Sequence, residues 1–313
     1  MLSIYNTDYK TNKFEKIKEF RPGSWISLVN PSEDEIKDVC SNLKIEDEFI
    51  KYPLDYEEQA RIDIEDDMTL FVIDVPVIEE SKEGKTYSTM PLGLIVVRDE
   101  FFITVSLKKN RIIDSFEKGR VKGVCTYKKT RFVLQILYLN ASYYLTDLKR
   151  INKEAENTVN DLKKTMKNQD LMQLLNLENS LVYITTSLKA NELVMEKTAR
   201  GKILKSYEED DEILEDAIIE NKQAIEMSKI YSEVLNGTMD AYASIISNNL
   251  NVVMKFLASI TIVLSLPTLI ASIWGMNVPL PFATNPYGFG IVCGISILLS
   301  ILAFILLKKK DML

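Results

Sequence analysis

The sequence predicts an α+β soluble domain, then a long helical stalk, then two membrane-spanning helices at the C-terminal end. Three observations carry this. No Asp, Glu, Lys or Arg occurs in the 52 residues between Lys255 and Lys308. Such a run is too long for one crossing and suits two helices of roughly 20 residues with a turn between them. Before it, from Tyr207 to Ile273, there is no proline until Pro267 and the only glycine is Gly237. The first 125 residues, by contrast, carry short β-branched runs of strand length.

In chain order, 25–29 (Trp-Ile-Ser-Leu-Val) reads as a strand, and Ser32 followed by Glu35 is a capping box that opens a short helix. Residues 70–78 and 92–97 read as strands. Residues 101–107, after the turn Arg98-Asp99-Glu100, complete a hairpin, so a small mixed sheet with helices on it is expected. From Lys128 onward the pattern turns helical. Phe132, Ile136, Leu139, Tyr143, Leu148, Ile151, Ala155, Val159 and Leu162 recur at intervals of three to five residues. Asn168-Gln169-Asp170 reads as a break, and a second helix runs over 171–198, with Gly201 just beyond it as a C-terminal glycine. The third helix would start in the cytoplasm and run into the membrane. A helix of that length is on the order of 100 Å and needs packing partners, so bundling with copies of itself is expected.

Composition narrows the function. The whole-chain mean hydropathy of -0.02 conceals two parts. Residues 1–255 hold 35 basic and 44 acidic residues, a net charge of -9. An acidic soluble part does not suit nucleic acid, whose phosphates need basic faces, and it is compatible with cations. There is no histidine, and Cys40, Cys125 and Cys293 are scattered, so a transition-metal site or disulfide framework is not expected and oxygen ligands are. No G-x-x-x-x-G-K-[ST] loop is present, and no enzyme or organic cofactor is expected. The polar start of the chain implies no cleaved signal. Lys308, Lys309 and Lys310 abut the second span while 278–287 has no Lys or Arg. The positive-inside rule then puts both termini in the cytoplasm of a cell-membrane protein.

One stripe stands out on the first span. Asn251, Met254, Thr261, Ser265, Thr268 and Ser272 are spaced three, seven, four, three and four apart, with Leu257 or Ala258 filling the gap. That is one helix face. Small hydroxyl residues in membrane helices also pack closely or bond back to the backbone, but a stripe that ends at Asn277 favours a water-filled axis shared by several subunits. Gly275-Met276-Asn277 follows Trp274, an aromatic suited to the interface.

That tripeptide, at the outer end of the first of two C-terminal spans, resembles the signature of the CorA family of magnesium and cobalt transport channels. The segments Asp240-Ala241-Tyr242-Ala243-Ser244-Ile245-Ile246-Ser247-Asn248 and Asn251-Val252-Val253-Met254-Lys255 are also similar to the family. The resemblance covers the whole architecture. It implies a funnel-shaped homopentamer with an α/β domain at 1–128, a helical hairpin at 129–205, a stalk helix at 206–254 and a pore-lining span at 255–274. An external loop at 275–287, a second span at 288–307 and a basic tail at 308–313 complete it.

The resemblance further implies a selectivity ring of Gly275, Met276 and Asn277. Mg²⁺ sheds its waters reluctantly, and amide oxygens can bond the hydration shell without replacing it. Asn251 matches a pore asparagine. Ser265 and Thr268 would be intermediate stations, and Met254 and Leu257 an apolar gate. Regulatory Mg²⁺ bound between subunits would meet Asp216 on the stalk, with Asp55 from the α/β domain as its candidate partner. An acidic helix start suits the helix dipole equally well. Lys308–Lys310 match a basic collar, and also serve as a topology signal. Two features depart from the family: Trp274 where Tyr is usual, and a loop without an acidic residue, which leaves ion selection to Asn277. The reading is a Mg²⁺ channel, with Co²⁺ or Ni²⁺ as further cargo, driven by membrane potential and gated by intracellular Mg²⁺. The partners expected are its own copies, lipids and divalent cations. The alternatives are a Zn²⁺ transporter of the same fold and a non-conducting membrane-anchored scaffold.

Overall fold

The computed structural model describes residues 1–65, 67–81, 84–165, 168–201, 203, 208–276 and 286–310. The chain divides into two compact units, Met1–Asn236 and Gly237–Leu313.

The first unit opens with three strands, β1 (Leu2–Thr7), β2 (Phe14–Ile17) and β3 (Ser24–Val29). Helix α1 (Glu33–Leu43) follows. Its Ser32 side chain accepts from the Glu35 amide while Glu35 reaches back to the Ser32 backbone, the reciprocal cap read from the sequence. Glu35 also holds the N-terminal amine at 2.8 Å. A short α2 (Glu48–Lys51) and a 3₁₀ turn (Tyr52–Leu54) lead to β4 (Arg61–Glu65), β5 (Met68–Ser81), β6 (Gly84–Val97) and β7 (Phe101–Ser106). After α3 (Arg111–Glu117) come the long helices α4 (Lys129–Thr165), α5 (Asn168–Gly201) and α6 (Glu208–Trp274).

The seven strands form one sheet in the order β2-β1-β3-β7-β6-β5-β4. Only β3 and β7 pair in parallel; every other neighbour is antiparallel. The β6–β7 hairpin turns through Arg98 and Asp99, both at φ 50°, the left-handed region that a tight hairpin demands and that Asp accepts more readily than most residues. One sheet face packs on α1 and α2 through Ile36, Val39, Leu43, Phe49 and Ile50. The other carries the helical side: Phe71, Ile73, Leu92 and Leu94 meet Phe132, Val133, Ile136 and Leu137 of α4, with Val194 and Met195 of α5 and Leu214 and Ala217 of α6. At its centre Trp25 is fully buried. It stacks on Tyr5 at 4.9 Å, meets Phe132 edge-on at 5.1 Å, and donates its Nε1–H to Thr104 Oγ1 at 3.0 Å. Such rings bury the largest apolar area per residue, and the indole N–H needs this partner.

The expected strands at 25–29, 70–78, 92–97 and 101–107 are present, and β5 and β6 are longer than read. Strands β1, β2 and β4 were not expected. Asn168–Asp170 is the first turn of α5, where Asp170 suits the helix dipole, and Gly201 is its last residue, not the one beyond it.

The second unit holds the C-terminal part of α6 and helix α7 (Gly288–Lys309). Both helices are long and apolar enough to cross a membrane.

Candidate functional site

The stripe is built from the helical repeat. At 100° per residue, Asn251, Met254, Leu257, Thr261, Ser265, Thr268 and Ser272 fall within an arc of roughly 120°. The structure brings the upper four together: Thr261, Ser265, Thr268 and Ser272 line one groove of about 640 Å³ with Leu264, Leu269 and Ile273. Asn251 is exposed one end below them. Met254 and Leu257 are each 57% exposed in the single chain and lie between Asn251 and Thr261 on the same helix face.

The hydroxyls have a defined donor geometry. Thr261 Oγ1 donates to the Leu257 carbonyl at 2.8 Å, Ser265 Oγ to the Ile262 carbonyl at 2.9 Å, and Thr268 Oγ1 to the Leu264 carbonyl at 3.0 Å. Each of these O–H groups is used within its own helix, which leaves the oxygens able to accept. The groove is mostly apolar, with the hydroxyls as its polar points. A hydrated cation turns its water hydrogens outward, and acceptors are what they bond. Pro267 lies inside this turn of α6. It has no N–H to give the Val263 carbonyl, a deficit that hydroxyl side chains and water can offset in a membrane helix.

The helix closes at the expected tripeptide. The Gly275 amide bonds the Ala271 carbonyl at 2.9 Å and the Met276 amide bonds the Ile273 carbonyl at 3.3 Å. Asn277, with the rest of the loop through 285, lies outside the described residues. At the other end of the pair, Lys308 and Lys309 occupy the last turn of α7 and Lys310 caps it. Positive charge there also suits the helix dipole.

Of the two candidate regulatory carboxylates, Asp216 sits on α6 between the buried Leu214 and Ala217 and is itself exposed. Asp55 ends the 3₁₀ turn, exposed, with its Oδ1 accepting from the Glu57 amide at 3.0 Å. Its position is set by packing: Pro53 lies directly on Gly93 of β6, so that a Cβ at 93 would collide with the Pro53 ring. Among the described residues neither carboxylate has an ion-pair partner, and no three His, Cys, Asp or Glu side chains gather as a metal site within one chain. The structure does not bring Asp55 and Asp216 together with a third ligand. Their oxygens fit Mg²⁺ chemically.

Sequence reasoning missed the joint at the start of α6. Arg131 of α4 binds Asp210 at 2.8 Å through Nε and Glu209 at 2.6 Å through a terminal nitrogen. Arg131 holds the Glu209 carboxyl below its ordinary pKa. The acidic run at the stalk's start is thus partly a structural clamp, and no local pattern links Arg131 to residues 78 positions away.

Over residues 23–309 the chain matches the family described as CorA-like Mg²⁺ transporter protein. It is 28% identical to the cobalt/magnesium transport protein CorA of Methanocaldococcus jannaschii over 297 residues, 92% of this chain and 90% of the relative. Its fold is similar to the complete structure of the CorA magnesium transporter from that organism, with a TM-score of 0.85 at 24% identity, covering 98% of this chain and 96% of the other. The ZntB cytoplasmic domain from Vibrio parahaemolyticus shares the fold more distantly, with a TM-score of 0.58 at 13% identity over 79% of this chain and 96% of that one. The match runs through the mixed sheet, the long helix and both apolar helices, and the chain belongs to the CorA-like Mg²⁺ transporter family.

Proposed function

We propose that this protein is a homopentameric channel that admits Mg²⁺, and Co²⁺ or Ni²⁺, into the cytoplasm. The observation that carries this reading is the row of hydroxyls, Thr261, Ser265, Thr268 and Ser272, along one groove of a helix otherwise apolar enough for a bilayer. An anchor helix has no use for such a stripe. Around a shared axis, α6 helices would line a wet path with Gly275, Met276 and Asn277 at its outer mouth and Asn251 at its inner end. Met254 and Leu257 would gate it by dewetting. Lys308, Lys309 and Lys310 would mark the cytoplasmic face. The membrane potential supplies about 2.3 kcal/mol per charge per 100 mV, enough to drive a divalent ion inward without coupling.

Intracellular Mg²⁺ would close the channel by bridging Asp216 of one subunit to a carboxylate of the next, with Asp55 the candidate. Carboxylates held close repel until a divalent ion neutralises them.

The test is dye-reported uptake into liposomes with an imposed inside-negative potential. The expected result is Mg²⁺ influx that Mg²⁺ on the cytoplasmic face shuts off. In Asn277→Ala influx is lost while pentamers persist. Normal influx in that variant overturns the selectivity ring. Zn²⁺ flux without Mg²⁺ flux would move the reading to a zinc transporter of the same fold.

A further inference from the structure

We propose that the cytoplasmic ends of the two spans form a docking surface for anionic lipid headgroups, chiefly through Lys308, Lys309 and Lys310. This rests on the membrane-spanning reading of α6 and α7 given above.

The charge pattern points to it. Residues 1–255 carry a net charge of -9, yet from 241 to 310 there is no Asp or Glu at all, and the only charged residues are Lys255, Lys308, Lys309 and Lys310. All four are exposed, and among the described residues none has an ion-pair partner. From 241 to 310, charge is therefore positive only and sits at the ends of the apolar stretch, where the leaflet surface must lie.

The geometry of α7 selects lipid over the pore as the partner. Its exposed side chains Phe289, Ile297, Leu298, Leu302, Phe304 and Leu306 surround the helix on every side. Its two hydroxyls, Ser296 and Ser300, are half-buried and donate to the Val292 and Ser296 carbonyls, each at 2.9 Å, so the exposed surface of the helix is apolar. Such a surface faces hydrocarbon or other helices, not a wet axis. At 100° per residue, Lys308, Lys309 and Lys310 fan over roughly 200°. No single axis can collect three charges so spread, and at least one must point outward to the leaflet. Long lysine stems let the ammonium groups reach the headgroup plane while the methylenes stay in apolar surroundings. Charges spread in a plane on flexible stems match a sheet of monoanions. A compact soluble anion would need a concave cluster of donors, and among the described residues this helix end forms none.

The experiment uses the full-length protein in vesicles of phosphatidylcholine with a minority of phosphatidylglycerol. Nanodiscs cut from them with a copolymer are analysed by mass spectrometry against protein-free discs from the same vesicles. Phosphatidylglycerol is expected to be enriched around the wild-type protein and less so at high salt. Its association is expected to weaken by roughly fivefold for each lysine removed from headgroup contact. Lys308→Gln/Lys309→Gln/Lys310→Gln should lose the enrichment and the corresponding triple Arg variant should keep it. A wild-type lipid ratio equal to that of empty discs overturns the proposal. So does enrichment retained in the Gln variant, or lost in the Arg variant. Loss of enrichment on adding excess glycerol 3-phosphate would assign the lysines to a soluble anion and equally overturn it. Mg²⁺ flux is measured in the same vesicles. If flux is absent while lipid enrichment follows the lysines, the channel reading fails and this one stands.

Discussion

Asn191 of α5 binds both backbone groups of Asp74 in β5: the Asp74 N–H donates to its Oδ1 and the Asp74 carbonyl accepts from its Nδ2, each at 2.8 Å. The side-chain amide stands in for a neighbouring strand. The reason lies on the other edge of β5: β4 pairs with it only as far as Arg61–Val72, so the backbone groups of Asp74 lie past the end of that strand. Asn140 and Tyr144 of α4 also donate to that carbonyl, at 2.8 and 3.1 Å. The helical layer is thus keyed to the sheet where β4 has ended and β5 would otherwise present unpaired backbone groups.

Asn191→Ala is therefore expected to leave the Asp74 amide buried without a partner, while Asn140 and Tyr144 still serve the carbonyl. The cost should be about 2 kcal/mol, read as a fall in thermal midpoint of about 4–8 °C for the full chain in detergent. Asn140→Ala should cost less, since two other donors remain.

Gly93→Ala should force the Pro53 ring off β6, at about 1–3 kcal/mol. Because that ring sets the 3₁₀ turn ending at Asp55, the variant should also weaken closure by intracellular Mg²⁺. A destabilised protein with unchanged Mg²⁺ sensitivity would remove Asp55 from the sensor.

Asp216→Asn keeps the helix and removes the charge. Its influx is expected to persist at cytoplasmic Mg²⁺ levels that close the wild type, with pentamer stability in low Mg²⁺ unchanged. Inhibition indistinguishable from wild type would place the sensor elsewhere.

Met254→Asn would put an amide in the proposed apolar constriction and is expected to keep it wet. Flux at inhibitory Mg²⁺ should rise severalfold. An unchanged closed-state flux would show that dewetting at this level is not the gate.

The Arg131 clamp has a pH signature. Glu209 titrates below its ordinary value of 4.5 because Arg131 favours its charged form. A carboxyl whose folded pKa is depressed adds stability that is present above 4.5 and is lost as pH falls through the lower folded value. Arg131→Met should lower stability at neutral pH and flatten the acid limb of the stability–pH curve. High salt should mimic part of that loss, since the Glu209 side chain is 78% exposed.

Much of this protein was legible locally. The charge-free run announced two apolar helices because a bilayer reads length and composition, not contacts. The Ser32–Glu35 cap, the turn at Arg98–Asp99 and the stripe from Asn251 to Ser272 follow from spacings of a few residues. The N-terminal strands were not legible. In β1, Ser3 and Thr7 are buried beside Ile4 and Tyr5 because the sheet is covered on both faces, and this erases the alternation that marks a half-exposed strand.

By itself, then, the sequence determined the order of parts: an α+β unit, an unbroken helix, two apolar helices and a basic end. Only the tertiary structure decided that β3 lies parallel to β7, that Asn191 serves the Asp74 backbone where β4 has ended, and that Arg131 grips the start of α6. It also decided that Pro53 on Gly93 sets the position of Asp55. The physical reason is distance along the chain. Helix periodicity, caps and charge gaps are written within a few turns, whereas these contacts join residues tens of positions apart. They depend on which surfaces the folded layers bring together.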